Sequence, residues 1–189
     1  MTRRVSAGLS RRRFVLGAAS AAAIGLAGCT GSTDRPEPIA LTGDKSCDQC
    51  GMIIDQHPGP SGQTYYRDNS PEDHDPPAWF CSTVCTYRHR FETSNRGWQP
   101  QVTYLTDYAI VDYSVDREGG TQVLSAHLAA ENFAATDGLE VVIGSEVEGA
   151  MGPAIVPFSD TDAAEEFAST YGGEIVAAEN ISRELVAQQ

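Results

Sequence analysis

The stretch Ala78-Trp79-Phe80-Cys81-Ser82-Thr83-Val84-Cys85 runs from an apolar segment into a helix start. Ala78-Trp79-Phe80 reads as a buried strand. Ser82 is a good N-cap, which predicts a helix running to about Thr93. The same order recurs later in the chain. Residues 154–158 (Ala-Ile-Val-Pro-Phe) form a predicted strand ending in Phe158, and Ser159-Asp160-Thr161-Asp162 supplies the cap of a helix over 163–171. Phe80-Cys81-Ser82 and Phe158-Ser159-Asp160 occupy matching places, and Met52 and Met151 precede them. Returning strands are predicted at 102–110 and 174–178. This internal repeat predicts an α+β fold of two ββαβ-like units, residues 46–110 and 111–189, in one compact domain.

The remaining elements follow from periodicity and turn residues. Met52-Ile53-Ile54 is short, apolar and β-branched and reads as a strand. So do 63–67 and 140–144. Residues 125–134 read as a helix, 149–153 as a loop, and 179–187 as a final short helix. Gly172-Gly173 ends the helix that begins at 163.

The first 28 residues read as an address. Arg11-Arg12-Arg13-Phe14-Val15-Leu16 resembles a twin-arginine export signal, and the apolar stretch 17–28 is shorter than the roughly 20 residues a spanning helix needs. It ends in Leu26-Ala27-Gly28-Cys29, which resembles a lipobox, so Cys29 is the expected lipidated first residue of the mature chain. That places the protein on the extracytoplasmic face of the cell membrane. Residues 29–45, rich in Gly, Ser, Thr and Pro, are expected to be a flexible lipid-anchored tether.

Removing the signal takes away five of 13 basic residues and none of the 26 acidic ones. That leaves 8 against 26, a net charge of −18. Lys45 is the sole lysine. Such a surface repels nucleic acid and excludes a nucleic-acid role. With 41% hydrophobic residues the chain still has the means to build a core. An acid excess nearly without lysine matches a halophilic protein, whose self-repulsion concentrated salt screens.

The chemistry lies in the sulfur residues. Cys47-x2-Cys50 and Cys81-x3-Cys85 together make a four-thiolate set. Cys81, Cys85 and His89 are spaced by four, which puts His89 among the candidate ligands. The run Cys50-Gly51-Met52 adds a thioether, and thiolate with thioether favours Cu(I) over zinc. Three other readings stay open: paired disulfides in an oxidising compartment, structural zinc, and a redox dithiol. No nucleophile-and-base motif, phosphate loop or dinucleotide fingerprint is present, so an enzyme is not expected. His57 and His74 fall in polar loops and read as solvated. His127 reads as a helix residue.

Cys47-x2-Cys50-Gly51-Met52 resembles the signature of the nitrous oxide reductase accessory protein NosL family. Thr103-Tyr104-Leu105-Thr106-Asp107-Tyr108, the segment Met151-Gly152-Pro153-Ala154-Ile155-Val156-Pro157-Phe158, and Ala163-Ala164 through Phe167, Tyr171 and Gly172-Gly173 resemble further family segments. The resemblance covers about residues 46–180. It implies a membrane-anchored Cu(I) metallochaperone serving nitrous oxide reductase or its copper transporter and assembly complex. It also implies Cys47, Cys50 and Met52 as sulfur ligands and Met151 as a second thioether. Two features depart from the family pattern. Ala150 precedes Met151-Gly152 where the family has Pro, and Cys81/Cys85 is an additional pair, open to copper, zinc or a disulfide.

Overall fold

The computed structural model describes residues 35–189. The expected export signal and the expected lipidation site Cys29 lie outside the described residues. The strands and helices, in order, are β1 (Gly62–Tyr66), β2 (Ala78–Phe80), α1 (Thr83–Ser94), β3 (Pro100–Thr106), β4 (Val115–Glu118), β5 (Thr121–Leu124), β6 (Phe133–Ala135), β7 (Glu140–Ile143), β8 (Val147–Gly149), β9 (Gly152–Pro153), β10 (Val156–Phe158), α2 (Thr161–Tyr171), β11 (Glu174–Ala177) and α3 (Arg183–Ala187).

The repeat is present in three dimensions. In the order β1-β2-α1-β3, strand β1 is central and pairs antiparallel with both β2 and β3. In the order β7-β10-α2-β11, strand β7 is central and pairs antiparallel with both β10 and β11. Each helix starts on a side-chain cap immediately after its second strand. Ser82 accepts from the Cys85 N–H, and Asp160 accepts from the Ala163 N–H. Each cap satisfies one backbone donor that the first helical turn leaves unpaired. The fold is therefore α+β, built on two ββαβ units.

Two additions join the units. Strand β6 extends the first sheet, pairing Thr106 with Phe133. A third sheet of order β4-β5-β8-β9 contains one parallel pair, β5 with β8. A shared core does the rest. Val84 and Tyr87 of α1 pack with Val141, Ile143 and Ile155 of the second unit. The Tyr87 hydroxyl also donates to the Ala178 carbonyl at 2.7 Å.

Several local expectations are corrected. Met52-Ile53-Ile54 is not a strand; Ile53 makes a single bridge to Ser46, and Ile54–Gln56 is a 3-10 turn. The tight return of the chain after Cys50 leaves no room for a ladder. Residues 125–134 do not form the expected α-helix; they run as a loop, a single 3-10 turn at Ala130–Asn132 and the start of β6. Their backbone groups serve neighbouring segments instead: Ser125 N–H bonds the Ser114 carbonyl, and the Leu128 and Asn132 carbonyls accept from Leu41 and Asp107. His127 accordingly sits in a loop, edge-on to Tyr108. Residues 149–153 are a hairpin turn between β8 and β9 rather than a loop. A Cβ on Gly149 would run into the Gly59 carbonyl, so only glycine lets this hairpin lie against the first unit.

The part of the tether that is described does not hang free. Residues 36–41 lie as a strap on the first sheet. Ile39 exchanges two bonds of 2.9 Å with the buried Gln63 side-chain amide. The hydroxyls of Tyr65 and Tyr104 donate to the Glu37 and Pro36 carbonyls. Leu41 is fully buried. An apolar Ile39-x-Leu41 with a matching row of donors explains why this segment packs despite its turn-rich flanks.

Candidate metal centre

Two chain segments supply the sulfurs. The first is the loop Cys47 to Met52. Cys47 N–H bonds the Met52 carbonyl and Gly51 N–H returns to the Cys47 carbonyl, both at 2.8 Å. Gly51 takes φ 78°, a left-handed turn that suits glycine. The knuckle places Cys47 and Cys50 on one side. The second segment is the end of β2, where Cys81 leaves the strand and Cys85 enters the first turn of α1.

The segments are laced together. Asp48 N–H donates to the Trp79 carbonyl, and Trp79 N–H donates back to the Asp48 carboxylate at 2.7 Å. The Trp79 indole donates to the Ser46 carbonyl. His74, expected to be solvated, instead stacks on Trp79 and meets Asp48 through Nε2. This clamp of Asp48, His74 and Trp79 carries no motif and was not foreseen as part of the site. Only the position of Asp48 inside the Cys-x2-Cys loop hinted at it.

The result is one cluster. The Sγ atoms of Cys47, Cys50, Cys81 and Cys85 all lie within 4.8 Å of one another. Cys50 and Cys81 are 3.5 Å apart, and Cys81 and Cys85 3.8 Å. A tetrahedral ion with metal–sulfur bonds of about 2.3 Å has edges of about 3.8 Å, so these two separations fit a four-thiolate centre. All four cysteines are free thiols, so separate Cys47/Cys50 and Cys81/Cys85 staples are not what the structure holds. Three are buried: Cys47 is 3% exposed, and Cys81 and Cys85 1% each. Cys50 is exposed.

The electrostatics are those of crowded thiols. Hydrogen bonds from the Cys81 and Cys85 thiols pull Cys47 down toward the thiolate form, against its burial. The same sharing with Cys47, together with burial, pushes Cys81 and Cys85 up. A thiolate formed among these close-packed, buried thiols has no counter-charge beside it, and a soft cation brought into the cluster would supply one.

Met52 and Met151 both pack against the apolar cluster that contains Cys47, Cys81 and Cys85. Each half of the fold thus contributes one methionine to the border of that apolar cluster. His89 is not part of the four-sulfur group. Its Nδ1 lies 2.9 Å from the Tyr66 hydroxyl, and its ring packs on Phe80 and Trp98. Burial holds its pKa below the ordinary 6.5. Cys85 and His89 follow one another on α1, yet the imidazole is engaged by the Tyr66 hydroxyl and the Phe80 ring rather than by the sulfurs.

A four-thiol cluster on a doubled ββαβ scaffold defines a small α+β protein with a centre able to hold a metal ion. The chain belongs to the NosL family, whose sequence model matches residues 38–186. It is 27% identical over 169 residues to the copper-binding lipoprotein NosL of Stutzerimonas stutzeri, covering 88% of this chain and 78% of that protein. Its structure resembles the crystal structure of the copper chaperone NosL from Shewanella denitrificans, with a TM-score of 0.58 and 26% identity. That match covers 77% of this chain and 95% of the other.

Proposed function

We propose that the protein is a Cu(I) carrier, held by lipid on Cys29 at the extracytoplasmic face of the membrane. In this reading it delivers copper for the assembly of nitrous oxide reductase, either to that enzyme or to its copper transporter and assembly complex. The single observation that carries the reading is a cluster of four free thiols with only Cys50 exposed. Buried thiolates protect Cu(I) from water and oxygen. An exposed ligand gives a partner's sulfur or imidazole a place to begin stepwise exchange. Such transfer is ligand substitution and needs no catalytic residue, so the protein acts as a carrier and not an enzyme. A twin-arginine signal suits export of a folded domain, and the acidic surface suits a saline environment. The test is metal content after anaerobic purification in reductant. Stoichiometric Cu(I), held less tightly in Cys50→Ser, supports the carrier.

One observation favours a second reading. The 3.5 and 3.8 Å sulfur separations match the edges of a closed tetrahedral zinc centre. In that case zinc stays bound under copper competition, and the protein is a zinc-stapled interaction domain.

A further inference from the structure

We infer that the cluster also reduces Cu(II), using Cys50 and Cys81 as an electron-donating pair and forming a disulfide between them. The inference rests on the copper reading above. Its physical basis is a surplus of thiols held in contact. Cu(I) is satisfied by two or three soft ligands, yet four thiols converge here. The Cys50 and Cys81 sulfurs are 3.5 Å apart, so a bond of about 2.05 Å needs a closing movement of only about 1.5 Å. Cys50 is exposed, where an incoming ion first meets the cluster, and Cys81 is buried behind it. Cys47 and Cys85 remain to hold the product.

The balance is complete with Cu(II) as the oxidant. Two Cu(II) ions each accept one electron. The Cys50 and Cys81 thiols each lose one proton and one electron, and their sulfurs join. The products are two Cu(I), one disulfide and two protons. Outside the cytoplasm, where thiols are scarce and Cu(II) prevails, such a step would supply the oxidation state that the cluster retains. It would also explain the additional Cys81/Cys85 pair: Cys81 spends its thiol as reductant while Cys85 stays as ligand.

The experiment uses the full chain carrying Cys29→Ser, reduced, metal-free and anaerobic, titrated with copper(II) sulfate. Cu(I) is read with a selective chromogenic chelator, thiols by DTNB, and the linkage by peptide mass mapping. The expected result is two Cu(I) per chain, a fall from four thiols to two, and a Cys50–Cys81 linkage. The exposed Cys50 tolerates replacement, and Cys50→Ser is expected to slow reduction by about tenfold or more. Absence of reduction, a linkage between other cysteines or between chains, or an undiminished rate in Cys50→Ser overturns the inference. A parallel titration with Cu(I) separates the two readings. Cu(I) binding without the disulfide leaves the carrier and removes the reductant. Failure to bind Cu(I) removes both.

Discussion

The imidazole of His74 lies flat on the indole of Trp79, with ring centroids 3.6 Å apart and planes within 6°. Its Nε2 is 3.0 Å from an Asp48 oxygen, and the other oxygen of that carboxylate takes the Trp79 N–H. One side-chain stack thus ties an acidic loop, the Cys47–Cys50 knuckle and strand β2 into a single rigid block.

That block makes the first prediction. Replacing His74 by Ala removes the stack and one partner of Asp48, none of it a sulfur ligand. Stability of the metal-free protein in urea is expected to fall by about 1 kcal/mol. Metal release to a competing chelator should also quicken, because the knuckle is no longer held against Cys81. An unchanged release rate at reduced stability would mean that the stack supports the fold alone.

The cysteines should separate by burial. Cys50→Ser lies at the surface, and its stability is expected to stay within about 0.5 kcal/mol of the parent while metal affinity drops. Cys81→Ser puts a hydroxyl where the side chain is 1% exposed, and should cost about 1–3 kcal/mol as well as affinity. Paired urea melts and chelator competition on the two variants check this.

The repeat supplies an internal control. Ser82→Ala and Asp160→Ala each remove an N-cap at equivalent places, and each should destabilise by about 1 kcal/mol. Only Ser82→Ala should also alter metal binding, because its cap bond goes to the Cys85 N–H. Equal effects on metal affinity would contradict a centre whose four thiols all come from the first unit.

His89 predicts a pH dependence. Burial lowers its folded pKa below the ordinary 6.5. Between the two values the unfolded chain binds a proton that the folded protein does not, so stability falls as pH drops below about 6.5. The urea midpoint of the metal-free protein should decline from pH 7.5 to 5.5. His89→Gln, which keeps a polar contact for Tyr66 and cannot titrate, should flatten that decline. A slope unaffected by the substitution would place the responsible proton elsewhere, with His127, also lowered by burial, the next to replace.

The doubled ββαβ plan was legible because its signals are local. A strand ending in Phe80 or Phe158, a capping Ser82 or Asp160, and the Gly172-Gly173 stop each act within a few residues. The four cysteines were legible by spacing. What escaped depends on contacts distant in sequence. Residues 125–134 have a helical composition, yet Phe133 completes a sheet whose partner, Thr106, lies 27 positions earlier. His89 has ligand spacing but is claimed by Tyr66. The strand pair β4–β5 escaped although Gly119-Gly120 is a hairpin turn signal, because β4 is polar and mostly exposed and β5 is too short to show an alternating pattern.

If Cys29 carries the proposed lipid, the strap of residues 36–41 sets where the protein can work. If the domain began at residue 46, a lipid at Cys29 would leave about 16 peptide units, a reach of about 55 Å. With the chain secured from Pro36 onward, Cys29 and Arg35 are separated by about six units, which span at most about 20 Å in any conformation. The volume the domain can search shrinks with the cube of that length, by about twentyfold, and the local concentration it presents to a membrane-bound acceptor rises by the same factor. A short mooring of this kind would favour acceptors at the bilayer surface and leave those deeper in the aqueous space beyond its range.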